Sequence, residues 1–360
     1  MQKAQKFQGI QALRFVAAIL VVITHSTFYA NERLDQSIFV WKGGTVGVDI
    51  FFVISGFVMM VTARPFEVPG GWKNFAVRRL IRIVPMYWIA TTVKILTMIA
   101  LPGAVLHAAL TPWSGIASFL FLPTRNPGGS VEPLLGVGWT LTFEMAFYAI
   151  FTAALLFRRN VLLFSSVALL VLAGLHAVRG DEDWPTWAFY FDQIVLYFII
   201  GMVIGRVVLS SNPRRNLMFL LTLALAATLI FALLPDGLDW ARNAPFRKGV
   251  VTAVFLIVVL AEPILARILP KPVLFMGDAS YSLYLFHPML APIAPVALGI
   301  IGVQSGVLSV TASIVGSVIA AAAIYWFVER PLTRKLRKVP YAGVPRPAVV
   351  STPPAPATRP

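Results

Sequence analysis

The sequence has no cysteine. Disulfides, thiolate nucleophiles, cysteine-held metals and a thiol-based acyl-enzyme are therefore excluded. Charge is also scarce: Asp, Glu, Lys and Arg make up 12% of the 360 residues, against about 25% in an average soluble domain. Acid is the scarcer sign, with 15 residues against 30 Lys and Arg and a net charge of +15. What abounds is apolar, 58% of the chain, with a mean hydropathy of +0.80. This balance excludes a soluble globular enzyme, a disordered chain and a collagen-like fibre. It points to an all-α, polytopic membrane protein of about ten transmembrane helices, since one crossing needs ~20 residues. Basic cytoplasmic loops account for the positive excess, so no nucleic-acid partner is expected.

Apolar runs broken by charge, Gly and Pro place helices over 10–29, 46–63, 85–101, 136–157, 161–178, 189–209, 217–234, 250–269, 280–301 and 306–328. The run 104–122, interrupted by Pro112 and Gly115, reads as an interfacial or re-entrant piece. No internal repeat is visible. The N-terminal segment MQKAQKFQGI leads into a long apolar run without a small-residue cleavage site, so it reads as a retained helix and not a signal peptide. Basic residues gather at 64–82, 158–159, 214–215, 267–271 and 334–338. The alternate loops carry Glu32, Asp35, Glu132, the acids of 181–183, Asp236 and Asp239, with Arg242, Arg247 and Lys248 against the trend. The bias places both termini in the cytoplasm. Residues 1–338 are expected to form the membrane domain, and the Pro-rich 339–360 a disordered tail.

Ionisable groups within the membrane need a reason. Arg14 and His25 share one face of the first helix, eleven residues and ~16 Å apart. Such a stripe suits the wall of an aqueous or substrate-lined channel. Imidazole is the side chain suited to taking a hydroxyl proton near neutral pH, usually with an orienting carboxylate. Asp49 and Glu144 are the candidates, and a depth count leaves Glu144 level with His25; pairing of Glu144 with Lys94 is the alternative. In FAVRRLIRIVPMYW, Arg78, Arg79 and Arg82 share a helix face with no acid nearby, a pattern suited to phosphate oxygens of a soluble anion or of lipid headgroups. Ser280, Tyr281, Ser282, Tyr284 and His287 enter the ninth span and read as a cavity lining or an aromatic belt. Asp192, Gln193 and Glu262 are buried-polar candidates without a nameable partner. Glu329, Arg330 and Pro331 read as a structural stop to the last helix. His107 and His176 fall in or near outer loops. No metal site is expected.

Taken in order, IQALRFVAAILVVITH, GVDIFFVISGF, FAVRRLIRIVPMYW, GVGWTLTFEMAFY, SYSLYLFHP and YWFVERP resemble the membrane acyltransferase-3 family across roughly residues 8–335. The GVGWTLTFEMAFY version is similar to its ExoZ-like exopolysaccharide subgroup. The resemblance implies an enzyme of the bacterial inner membrane. It implies transfer of an acyl group, usually acetyl, from acetyl-CoA or another acyl-CoA to a sugar hydroxyl of an envelope or secreted polysaccharide. No permanently bound cofactor is implied, and acyl-CoA serves as donor substrate. His25 and Arg14 match the catalytic His and first-helix Arg, Arg79 and Arg82 the donor-contacting pair, and Glu144 the acidic residue after the tryptophan. Expected partners are acyl-CoA, a polysaccharide or lipid-linked oligosaccharide acceptor and membrane lipids; a homo-oligomer or biosynthetic-complex partner stays open. Some members carry an extra hydrolase-like domain, for which this chain is expected to be too short. The competing classes are a transporter or flippase for an anionic metabolite or lipid-linked sugar, and an assembly subunit without an active site.

Overall fold

Long apolar stretches in a chain this poor in charge fold as helices, because within a single segment only a helix satisfies every backbone polar group without water. The computed structural model describes residues 7–105, 108–179, 184–234, 238 and 243–345. His107, the acids of 181–183, Asp236, Asp239, Arg242 and the tail beyond 345 lie outside them. Among the described residues there is no strand, only an isolated antiparallel bridge between Arg125 and Val131.

The helices run α1 (Gln8–Arg33), α2 (Val46–Thr62), α3 (Gly71–Ala100), α4 (Pro112–Phe119), α5 (Trp139–Leu156), α6 (Val161–Gly174), α7 (His176–Arg179) and α8 (Leu196–Val208). They continue through α9 (Pro213–Ala232), α10 (Ala244–Leu260), α11 (Glu262–Ile268), α12 (Lys271–Leu290), α13 (Ile293–Ile300), α14 (Gly306–Ile324) and α15 (Arg330–Leu336). Among the described residues, nine helical segments are long and apolar enough to cross a membrane, or ten if α10 and α11, bent by 68°, form one crossing. The all-α, multi-pass architecture expected from composition is therefore observed.

Four boundaries differ most from the sequence expectation. The third span starts at Gly71, not near residue 85, and Pro85 lies inside α3. The ninth begins at Lys271, so the Ser280–Tyr284 stretch sits mid-helix and not at its head. The last span does not stop at Glu329: it passes through a π turn, Tyr325–Glu329, into α15. The sixth keeps regular helix only over Leu196–Val208, preceded by 3-10 turns. Charge explains the first three: hydropathy runs end where arginine or aspartate appears, yet those groups face a cavity inside the bundle.

Close backbone approach sets the frame. A Cβ on Gly56 would lie 2.1 Å from the Phe198 carbonyl, and one on Gly201 would lie 2.0 Å from that of Val53. Helices α2 and α8 thus touch main chain to main chain, as small residues allow in membranes. Aromatic rings fill the space around them, with Phe198 4.8 Å from Phe52 and 4.2 Å from Phe147 between centroids. Glu262, left without a partner by sequence, accepts from the backbone N–H of Gln8 (2.6 Å) and Gly9 (2.8 Å). A carboxylate at a helix N-terminus meets both the free donors and the dipole. Asp192 likewise accepts from Ile194 N–H at 2.8 Å. Helix α9 buries only Leu217 and turns an apolar face outward.

Candidate active site

Helix α1 is the spine of the site, and three cavities follow its length. The first, about 680 Å³, is bounded by Arg14, Arg78, Arg79, Arg82, Asp278 and Glu329 among others. A central cavity of about 160 Å³ shares Arg14, Val58, Arg79 and Arg82 with it and adds Ser55, Glu144 and Tyr281. The third, about 730 Å³, is lined by His25, Tyr29, Lys94, Glu132 and Trp139. Arg14 and His25 therefore serve opposite ends of one stripe, as their shared helix face requires.

A thin partition separates the central cavity from the third. The hydroxyls of Thr140 and Tyr284 lie 2.8 Å apart, and each is within reach of the Val137 carbonyl, at 3.0 and 3.2 Å. Thr140 and Tyr284 line the central cavity, and Val137 lines the third.

His25 Nδ1 is 2.9 Å from the Val21 carbonyl. A carbonyl only accepts, so Nδ1 carries the proton and Nε2 of the neutral ring keeps its lone pair. The His287 ring stands 4.9 Å away at 63°. Its Nδ1 donates to the Leu283 carbonyl at 3.1 Å, and its Nε2 is buried without a partner among the described residues. Among the described residues, no carboxylate orients His25. The expected His25–Glu144 pairing does not form, because the two line different cavities. The depth count failed at the turn before α5: Leu135, Val137 and Gly138 are buried, so α5 starts below the surface.

Glu144 instead accepts from Ser55 Oγ at 2.9 Å and from the Tyr148 hydroxyl. The Arg79 guanidinium lies 5.7 Å from the Tyr148 ring and donates to Thr62 Oγ1 at 3.0 Å. Lys94, the alternative partner for Glu144, lines the third cavity. Asp49, expected to line the pore or orient His25, does neither. It is buried against Arg247, Oδ2 to Nε 3.1 Å, and lines none of the three cavities.

Ser280, Tyr281 and Tyr284 line the central cavity. The Tyr281 hydroxyl donates to the Ile83 carbonyl at 2.8 Å, tying α12 to α3, and Ser280 donates to the Gly277 carbonyl at 2.8 Å. Arg78 reaches only the first cavity, whereas Arg79 and Arg82 reach two. Sequence reasoning missed Ser55, Tyr148 and Glu329. Tyr148 was legible as an i+4 neighbour of Glu144. Glu329, read as a structural stop, accepts from Ser282 Oγ at 2.6 Å and borders the first cavity. Its partner is 47 residues away, so no local pattern marks it.

Comparison with known proteins bears on the chain as a whole. The exopolysaccharide production protein ExoZ of Rhizobium meliloti is 35% identical over 86% of this chain and 95% of its own length. A putative peptidoglycan O-acetyltransferase, YrhL of Bacillus subtilis, is 26% identical over 90% of this chain and 54% of its own. The O-acetyltransferase OatA of Staphylococcus aureus is 25% identical over 78% and 49%. The chain thus spans about half the length of the latter two. No solved structure matches it. Residues 7–326 match the acyltransferase domain of the acyltransferase-3 group, and this multi-pass membrane protein belongs to that family.

Proposed function

We propose that the protein is a membrane O-acyltransferase that carries an acyl group, acetyl by default, from a coenzyme A thioester to a sugar hydroxyl of an exopolysaccharide or other envelope glycan. One observation supports this most: a basic cavity, a narrow polar middle and a histidine-bearing cavity follow one another along α1. In this reading the arginine-lined cavity opens to the cytoplasm of a bacterial inner membrane, in keeping with the basic loops at 64–82 and 334–338. The diphosphate of the donor rests among Arg78, Arg79 and Arg82. The acyl-pantetheine arm extends past Arg14 into the central cavity, between Glu144, Tyr281 and Tyr284.

The acceptor hydroxyl approaches His25 from the third cavity. His25 Nε2 takes the hydroxyl proton while the oxygen attacks the thioester carbonyl carbon. The C–S bond then breaks, the sulfur leaves as thiolate, and the proton held by His25 returns to it. The Val21 carbonyl holds the ring in the required tautomer and orients it, the role a carboxylate plays in other acid–base sites. Thr140 and Tyr284 form the barrier that the acyl group must pass. The names of the ExoZ and YrhL relatives support a glycan acceptor, and that of OatA supports O-acetyl transfer.

The test is acetyl-CoA turnover by reconstituted protein with a membrane glycolipid extract, wild type beside His25→Ala. A positioned base is worth about 10²–10⁴-fold, so turnover in the variant should fall by at least about a hundredfold at equal melting temperature. Equal rates in the two proteins would remove His25 as the base. Absence of any thioester loss in wild type, with succinyl-CoA as well, would favour the transporter class.

A further inference from the structure

The first cavity holds more positive charge than the Arg78–Arg82 segment supplies. Arg330, Arg334 and Arg337 also line it. They lie beyond the matched domain, which ends at residue 326. At 100° per residue, positions 330, 334 and 337 fall within about 60° of one another on a helix, a single face. Lys335 points to another face, about 100° or more from each of the three, and neither Lys335 nor Lys338 lines the cavity. Seven arginines and two carboxylates, Asp278 and Glu329, therefore surround this space. Among the described residues, none of the seven forms an ion pair.

The backbone is arranged to present that face. The π turn over Tyr325–Glu329 adds one residue to the helix, rotating all that follows by ~100° relative to an uninterrupted α-helix. Arg330 is fixed by its guanidinium over the Trp326 ring at 4.4 Å. The chain after α15 is tied to α3: Asn74 Nδ2 donates to the Gly343 carbonyl at 3.1 Å, and Lys73 Nζ sits 5.8 Å over the Tyr341 ring. Ala342 and Gly343 complete the cavity rim. Like charges held together on a tethered segment suit the binding of an anion.

We infer that Arg330, Arg334 and Arg337 are a second phosphate-binding face, which takes the ribose 3′-phosphate of the donor. The inference rests on the acyl-CoA reading above. In coenzyme A the diphosphate lies between the pantetheine arm and the adenosine, and the 3′-phosphate is carried by the ribose beyond it. Arg79 and Arg82 border both the central and first cavities, the position for the diphosphate when the arm is inserted. The α15 arginines border only the first cavity, the position for the more distant phosphomonoester, which carries about −1.5 to −2 charges at pH 7. Phosphate of a lipid headgroup presents the same chemistry, so the experiment separates the two sources.

Full-length protein in phosphatidylcholine nanodiscs is titrated calorimetrically with coenzyme A and with 3′-dephospho-coenzyme A. Wild type should prefer coenzyme A by about tenfold, equal to about 1.4 kcal/mol. Arg334→Ala/Arg337→Ala should bind both equally, while Lys335→Ala/Lys338→Ala should discriminate like wild type, with melting temperatures matched. Coenzyme A binding without discrimination in wild type overturns the inference and leaves the donor reading intact. So does an arginine variant that still discriminates but loses affinity for phosphatidylglycerol vesicles, which assigns the face to lipid headgroups. Failure of wild type to bind either compound overturns both.

Discussion

At the scale of single residues, the site joins side chains whose chemistry is complementary but whose partners are remote in sequence. Glu144 is the clearest case. Its carboxylate accepts from Ser55 and Tyr148 in a cavity that also holds Arg79 and Arg82. Glu144→Gln keeps an oxygen acceptor for both hydroxyls, so the melting temperature should hold while turnover falls with the lost charge. Glu144→Leu leaves both hydroxyls unpaired and should cost about 1–3 kcal/mol of stability. Thermal unfolding and acetyl-CoA turnover, measured on both variants, check this; a Glu144→Gln protein of normal rate would contradict it. Arg14, His25, Arg79, Arg82 and Glu144 were legible because charge in an apolar run is conspicuous. Ser55 was not, since a lone hydroxyl in a membrane helix attracts no notice until its acceptor is known. Asp49 was conspicuous for another reason: it neutralises Arg247, one of the basic residues that ran against the loop-charge trend.

At the scale of elements, helix positions follow from small residues and from charge turned inward. Gly56 and Gly201 face each other across α2 and α8, where any side chain would strike a carbonyl. Gly56→Ala should therefore cost more than about 4 kcal/mol, the range reserved for severe backbone and packing clashes. Thermal unfolding or loss of monodisperse protein reports it; a variant as stable as wild type would show that the two helices do not approach this closely. The existence and type of nearly all spans were readable from hydropathy alone. Their ends were not, wherever a charge faces the interior. Arg78, Arg79 and Arg82 truncated the expected third span, and Asp278 truncated the ninth, because a hydropathy window treats a cavity-facing charge like a loop. Glu262 shows the converse: it belongs to a helix start yet serves another helix, 253 residues distant at its Gly9 contact.

At the scale of the whole molecule, the account turns on three cavities in series and a partition between the last two. Their succession was beyond the reach of sequence, since it depends on the register of α12 against α1 and α5. Tyr284 from α12 meets Thr140 from α5 at 2.8 Å to make the partition. Tyr284→Phe keeps the ring and removes that contact. Acetyl-CoA hydrolysis in the absence of acceptor should then rise, as water crosses from the His25 side to the thioester. An unchanged hydrolysis rate would show that the partition is closed by other groups. The central claim is vectorial: donor at the arginine-rich end, acceptor at the His25 end. The most direct measurement uses sided proteoliposomes, with radiolabelled acetyl-CoA supplied only to the face that carries the 334–338 arginines and lysines. The account expects label on glycan at the opposite face, lost in His25→Ala. Label on glycan at the donor face alone would contradict it.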